Sequence, residues 1–220
     1  MVPIATEIIT SKLTGRPSPV PELKEKTFAH YGVKEAVFPF KMFPEVDPVL
    51  GPEMRSTGEV LGLAETVGEA FYKAQEGTKT MLPLEGKVLI SVGGRDKADV
   101  AEVARLFDEA GFEILATKGT ARDIAEAGIK VTKIAKVSEG DRPNVYDIIT
   151  NGDVQIVVNT PKVADAGPDD SYVRKACIKS RIPYITTMAA AMASARGIKT
   201  VKEKGCKDVV SLQERHANIK

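Results

Sequence analysis

The stretch EILATKGTARDI, residues 113 to 124, runs from apolar residues through Thr117, Lys118, Gly119 and Thr120 straight into a helix-like pattern. Two hydroxyls, a cation and a glycine where a buried strand meets a helix start have a definite chemical use. The first N–H groups of a helix have no intrahelical acceptor, and beside Thr hydroxyls they form a donor set for an anion. Thr and Gly are also ordinary turn and cap residues, and Thr120 suits an N-cap. The anion reading gains weight because similar residues close the other apolar runs. Ser91, Gly93, Gly94, Arg95, Asp96 and Lys97 follow the first, Lys136 the third, Asn159 and Thr160 the fourth, and Thr186 and Thr187 the fifth. Lys97 and Lys136 supply positive charge without a fixed bidentate geometry. Asn159 can donate and accept, as a reader of a ribose or base must. The composition points to a phosphate-bearing small molecule, with Lys97, Thr117, Gly119, Thr120, Lys136, Asn159, Thr160 and Thr187 as candidate binding residues.

No catalytic residue emerges from the same search. The two histidines, His30 and His216, lie off this edge, and Asp96, Asp169 and Asp170 sit at helix starts where capping accounts for them. SVGGRDK lacks the GK[ST] ending of a phosphate-binding P-loop, and no GxGxxG follows a strand. Cys177 and Cys206 lack metal-ligand spacing, so no metal site is expected; they suit packing in a reducing, cytoplasmic setting.

The elements that must carry these residues show a regular alternation from residue 87 onward. KVLISV (87–92) precedes a helical pattern at 96–111, and EILAT, KVTKIAKV, VQIVVNT and PYITT each precede another. Runs such as VQIVV, apolar without alternation, belong to strands covered on both faces. The fold class is therefore α/β, a three-layer domain with a five-stranded parallel sheet. In such a sheet the strand carboxyl ends and the following helix starts share one edge, where ligands bind. Gly111, Gly128, Gly152 and Gly197 are placed as helix-stopping C′ glycines. Residues 1 to about 80 read differently. They hold a helix at 3–14, an apolar run at 35–40 and a helix at 65–76, rich in proline and too poor in apolar residues for a core of their own, with 77–86 as linker.

Composition narrows the partners. With 31 Lys and Arg against 30 Asp and Glu, the net charge of +1 offers no global field for nucleic acid or an anionic membrane, so any anion site is local. No run is apolar enough to span a bilayer, and Glu7 inside MVPIATEIITSKLTG suits an amphipathic helix rather than a signal peptide.

GVKEAVFPFKMFPEVDPVLGPEMRSTGEVLG (32–62), followed by ATKGTA (116–121), resembles the C-terminal end of the large subunit of carbamoyl-phosphate synthase over nearly the whole chain. LGPEMRSTGEV (50–60) is long enough to be specific, whereas ATKGTA alone points to the broader methylglyoxal-synthase-like domain. The resemblance implies that 1–82 is the mostly irregular and helical tail of the second ATP-grasp unit with its linker, and 83–220 a methylglyoxal-synthase-like allosteric domain. It implies a synthase that makes carbamoyl phosphate from bicarbonate, ammonia or glutamine, and ATP with Mg²⁺, for pyrimidine and arginine biosynthesis. The implied ATP and Mg²⁺ residues precede a stretch like VPIATEIITSKLTG, so this polypeptide is expected to hold no cofactor, to need the upstream part of the subunit, and to reach the glutaminase subunit through it. It would be an excised fragment or a split-gene product.

The implied effector is UMP or IMP, on positions matching Lys97, Thr117, Thr120, Lys136, Asn159 and Thr160. This chain departs at Pro161, where many relatives continue Asn-Thr-Thr, and at Lys118, where some have His. Glu35 and Thr186 match positions of an ornithine site whose other ligands lie upstream. The alternative enzyme, a methylglyoxal synthase acting on dihydroxyacetone phosphate, needs a histidine near the edge that is missing here. A homo-oligomer is compatible with the Ala- and Met-rich MAAAMASARG (188–197), which as a helix also suits packing on the sheet.

Overall fold

The computed structural model describes residues 2–18, 30–37, 58–160, 168–205 and 210–217. They fall in two compact units, Met1–Ala29 with Ile219–Lys220, and His30–Asn218. The first holds helix α1 (Val2–Thr14), in agreement with the helix expected at 3–14. Thr14 Oγ1 donates to the Thr10 carbonyl at 2.8 Å, and the chain leaves the helix through Gly15 at φ 65°.

The second unit opens with an antiparallel pair, β1 (Tyr31–Val37) and β2 (Gly58–Ala64), in which Val33 opposes Gly62 and Glu35 opposes Val60. The apolar run expected at 35–40 lies in β1 as far as Val37 and outside the described residues beyond it. Helix α2 (Val67–Gly77) follows, its first turn capped by Thr66, whose side chain accepts from the Glu69 N–H at 3.2 Å.

The alternation from residue 87 builds the expected sheet. Strands β3 (Lys87–Ser91), β4 (Glu113–Thr117), β5 (Thr132–Ile134), β6 (Ile156–Asn159) and β7 (Tyr184–Ile185) are all parallel, in the order β5-β4-β3-β6-β7. Successive residues feed opposite layers. Val88, Ile90, Ile114, Ala116, Ile156 and Val158 pack into one apolar cluster, while Leu89, Leu115 and Val157 join the other. Helices α3 (Val100–Glu109), α4 (Lys118–Glu126) and α7 (Met188–Lys204) cover the first face; α5 (Val145–Thr150) and α6 (Pro168–Ser180) cover the second. The helix expected from Asp96 begins as a 3₁₀ turn at Gly94–Asp99 whose cap position is Gly93, so Asp96 is not the N-cap. A short α8 (Leu212–Ala217) ties back to β2 through Arg215, which donates to the Leu63 carbonyl at 3.2 Å.

Gly111, Gly128 and Gly152 stand past helix ends at φ 84°, 77° and 76°, as C′ glycines should. Gly197 does not. It lies inside α7, where it lets the backbone of α2 approach: a Cβ on Gly197 would come to 2.6 Å from the Gly68 carbonyl oxygen, and one on Gly68 to 3.1 Å from Gly197 N. The other side of α2 is as close to its sheet, because a Cβ on Gly62 would fall on the Ala70 carbonyl oxygen and lie 2.7 Å from Ala74 N. Three glycines thus seat α2 between β2 and α7, and the core of the sheet reaches α2 through buried Tyr72. This is how a segment with few apolar residues of its own finds a core.

In consequence, Gly62→Ala should cost about 2 kcal/mol or more, in the overpacking range, since helix backbone rather than a flexible side chain must move. Gly94→Ala, where an added methyl meets nothing within 4 Å, should leave stability unchanged. Thermal unfolding of both variants checks this, and equal midpoints would contradict it.

Candidate functional site

The sheet order fixes where a crevice opens. β4 and β5 lie on one side of β3, β6 and β7 on the other, so the connection leaving β3 runs over one face and that leaving β6 over the opposite face. Their carboxyl ends, paired at Ser91 and Asn159, border the gap. Polypeptide leaving a sheet here needs acceptors for its N–H groups, and threonine hydroxyls provide them. The Val92 N–H donates to Thr120 Oγ1 at 3.2 Å, and the Gly93 N–H to Thr160 Oγ1 at 3.1 Å. The Thr160 N–H in turn donates to the Ser91 carbonyl at 3.0 Å. Thr117 Oγ1 donates toward Ser91 Oγ at 3.3 Å and lies 3.5 Å from Thr120 Oγ1. Thr117, Thr120, Asn159 and Thr160 are all at least nine-tenths buried. As an acceptor, Thr160 keeps its own hydroxyl proton, which no bond among the described residues uses, whereas the Thr120 proton faces Thr117 Oγ1.

Thr120 is therefore not the N-cap of α4. Thr117 holds that position, with φ −70° and ψ 153°, and no side chain caps the first turn. The opening N–H groups of α4 are left for another acceptor. Lys97 stands over this turn, since a Cβ on Gly119 would lie 3.6 Å from its Nζ. Its ammonium is paired with Asp123 Oδ2 at 2.8 Å. The hydrogen bond from Lys97 holds the Asp123 carboxyl below the ordinary carboxylate range. Arg122 helps, and desolvation acts the other way.

Lys136 closes β5 beside β4, and its N–H donates to Glu139 Oε2 at 3.1 Å. Asn159 is committed in a way its sequence position does not show. Its Nδ2 donates to Asp170 Oδ1 at 2.9 Å and to Tyr184 Oη at 2.8 Å. Asp170 is thus more than a helix-start carboxylate, and Ser91, Asp170 and Tyr184 join the cluster. Burial pushes the Tyr184 phenol up, against the lowering effect of the Asn159 hydrogen bond.

Thr187 stands at the far end of the edge and caps α7, accepting from the Ala190 N–H at 3.2 Å. No hydrogen bond or ion pair among the described residues joins Glu35 to Thr186. Glu35 lies in β1, where partial burial raises its carboxyl pKa. Cys177 is buried and its thiol is pushed up to about 12, consistent with a packing role. Pro161 and Cys206, and the side chains of Asp169 and His216, are outside the described residues. Among those described, no three His, Cys, Asp or Glu gather to hold a metal, and no helix is long and apolar enough to cross a membrane.

A family model described as an MGS-like domain matches residues 99–186. The chain is 50% identical over 174 residues to the carbamoyl phosphate synthase large chain, C-terminal section, of Methanopyrus kandleri, covering 79% of this chain and 32% of that relative. To the Aquifex aeolicus protein of the same description it is 47% identical over 196 residues, covering 87% and 36%. It spans about a third of the length of these relatives. Against the carbamoyl phosphate synthase large chain of Pseudomonas putida it is 47% identical over 190 residues, 86% of this chain and 17% of that one. Among solved structures, methylglyoxal synthase from Elizabethkingia anophelis is 21% identical with a TM-score of 0.41, covering 50% of this chain and 76% of that one.

The Lys97–Asp123 pair carries a pH signature. A carboxyl whose pKa falls on folding stabilises the fold above its unfolded pKa, and that contribution is lost as pH drops through the folded value. Asp123→Asn should be less stable than the parent protein at neutral pH, with the gap closing below the ordinary carboxylate range. Urea unfolding at stepped pH measures the gap; one that stays constant with pH would refute the assignment.

Proposed function

Since this chain corresponds to the C-terminal part of the carbamoyl phosphate synthase large chain and carries an MGS-like domain, we propose that it is the regulatory portion of such a synthase and binds a nucleoside monophosphate of the UMP or IMP type. The observation that carries this reading is the first turn of α4, free of any side-chain cap and overlain by the Lys97 ammonium. A phosphate there would take the open N–H groups at Thr117 to Thr120, the spare hydroxyl proton of Thr160, and charge from Lys97 and Lys136. Gly119 keeps the turn clear for Lys97, and Asn159 serves the nucleoside.

Regulation then needs a route from this edge to the part that makes carbamoyl phosphate. Helix α7 begins at Thr187 on the edge and crosses α2 at Gly197, and α2 lies directly on β1 and β2. A phosphate that orders 93–97 and 117–120 would reposition α7 and, through the glycine contacts, α2 and its sheet. The effect on the synthase equals the difference in effector affinity between its states, typically about 1–3 kcal/mol. On this reading the partners are the upstream part of the large subunit and, through it, the glutaminase subunit. The pathways are pyrimidine and arginine biosynthesis in the cytoplasm, and ATP and Mg²⁺ are used by the upstream part.

Titration calorimetry with UMP and IMP tests the proposal. Binding of at least one is expected, weakened roughly tenfold or more by Lys97→Ala, the scale of a lost charged hydrogen bond. No heat from either nucleotide at millimolar concentration would overturn it.

A further inference from the structure

The amino ends of β6 and β7, opposite the edge described above, border a second cavity of about 480 Å³. Met81, Val154, Ile182 and Pro183 give it an apolar wall. Helices α5 and α6 terminate on it at Thr150 and Ser180. The last carbonyls of a helix have no intrahelical donor and carry the negative end of its dipole. Neither the Thr150 nor the Ser180 carbonyl accepts a hydrogen bond from the described backbone. Gln155, on the same wall, is already spent, its Oε1 accepting from the Lys87 N–H at 2.7 Å and its Nε2 donating to the Gly152 carbonyl at 3.0 Å.

The charged residue in the described lining is Arg181, whose guanidinium makes no hydrogen bond or ion pair among the described residues. It occupies a costly place. The Arg181 N–H donates to the Ile178 carbonyl at 3.2 Å and the Ile182 N–H to the Cys177 carbonyl at 2.9 Å, the paired bonds that close a helix and favour glycine at the first of the two positions. Arg181 takes that position at φ 57°, in the left-handed region where a side chain is strained. The cavity thus joins a free planar cation, two helix ends with open acceptors and an apolar wall.

We infer that this cavity is a binding site for a free α-amino acid with an apolar side chain. The guanidinium fork matches a carboxylate, the helix-end carbonyls accept from an ammonium, and the wall takes the side chain. No described Asp or Glu lines the cavity, so a second cation on the ligand would go unpaired. The terminus of a partner protein brings one of the two charges; a free amino acid brings both. Met81 belongs to the segment leading from α2 to β3, so an occupant would hold that connection against the sheet. Nothing in this depends on a nucleotide at the opposite edge.

The test titrates L-leucine, leucinamide and isocaproate into the parent protein and into Arg181→Gly, followed by NMR of the backbone amides. Leucinamide lacks the carboxylate and isocaproate the ammonium. The parent should bind leucine with shifts centred on the amides of 150–155 and 180–182, and each analogue roughly tenfold more weakly, the scale of one charged hydrogen bond. In Arg181→Gly the preference for leucine over leucinamide should vanish while that over isocaproate remains. Glycine suits the left-handed φ, so this variant should unfold at or above the temperature of the parent, which separates a lost ligand contact from a lost fold. Absence of shifts with leucine at millimolar concentration, shifts centred elsewhere in the chain, equal binding of leucinamide by the parent, or a preference over leucinamide that survives Arg181→Gly would each overturn the inference.

Discussion

Peptide leaving the carboxyl end of a buried parallel strand has N–H groups that no neighbouring strand can accept, and here threonine hydroxyls take them. Thr120 serves Val92 and Thr160 serves Gly93, so loops from three strands are drawn onto one small patch. The cost of leaving a buried N–H without a partner is about 1–3 kcal/mol, roughly a fifth of a domain's margin of stability. This requirement places the candidate site. It also sets its chemistry, because the Thr160 hydroxyl, accepting from the backbone, is left with a proton for another acceptor.

A second constraint works around α2. Backbone can touch backbone only where no Cβ intervenes, and Gly62, Gly68 and Gly197 supply such contacts on both sides of α2. Side chains can turn and absorb a displacement, but abutting main chains have no such slack. A shift of α7 is therefore delivered to α2 with little loss. The two-stranded sheet beneath α2 belongs to the same packed body as the parallel sheet, despite the proline-rich stretch between β1 and β2.

The parallel sheet was legible in the sequence because strands covered on both faces must be apolar throughout, as KVLISV and VQIVV are, and each is followed by a helical period. Most of the edge followed from it, since a residue closing a strand has few places to be. What could not be read were commitments between distant residues. Thr120 resembles a cap until Val92 claims its oxygen. Asp170 resembles a dipole-neutralising carboxylate until Asn159 is found against it, with Tyr184 arriving from 25 residues beyond. Gly197 resembles a helix stop because glycine has two uses, and only the position of Gly68 shows which applies. β2 escaped notice since GEVLGLA carries two glycines and mixes exposed with buried positions, a weak period.

The Lys97–Asp123 pair gives the edge a self-contained counterion. On the proposed regulatory reading, an arriving phosphate would not meet a bare ammonium; it would have to exchange with a carboxylate already in place at 2.8 Å. Occupancy would then be a replacement reaction, with much of the attraction cancelled by the contact displaced. An arrangement of that kind would favour shallow grip and rapid turnover of ligand over tight capture, the behaviour of a gauge rather than a trap.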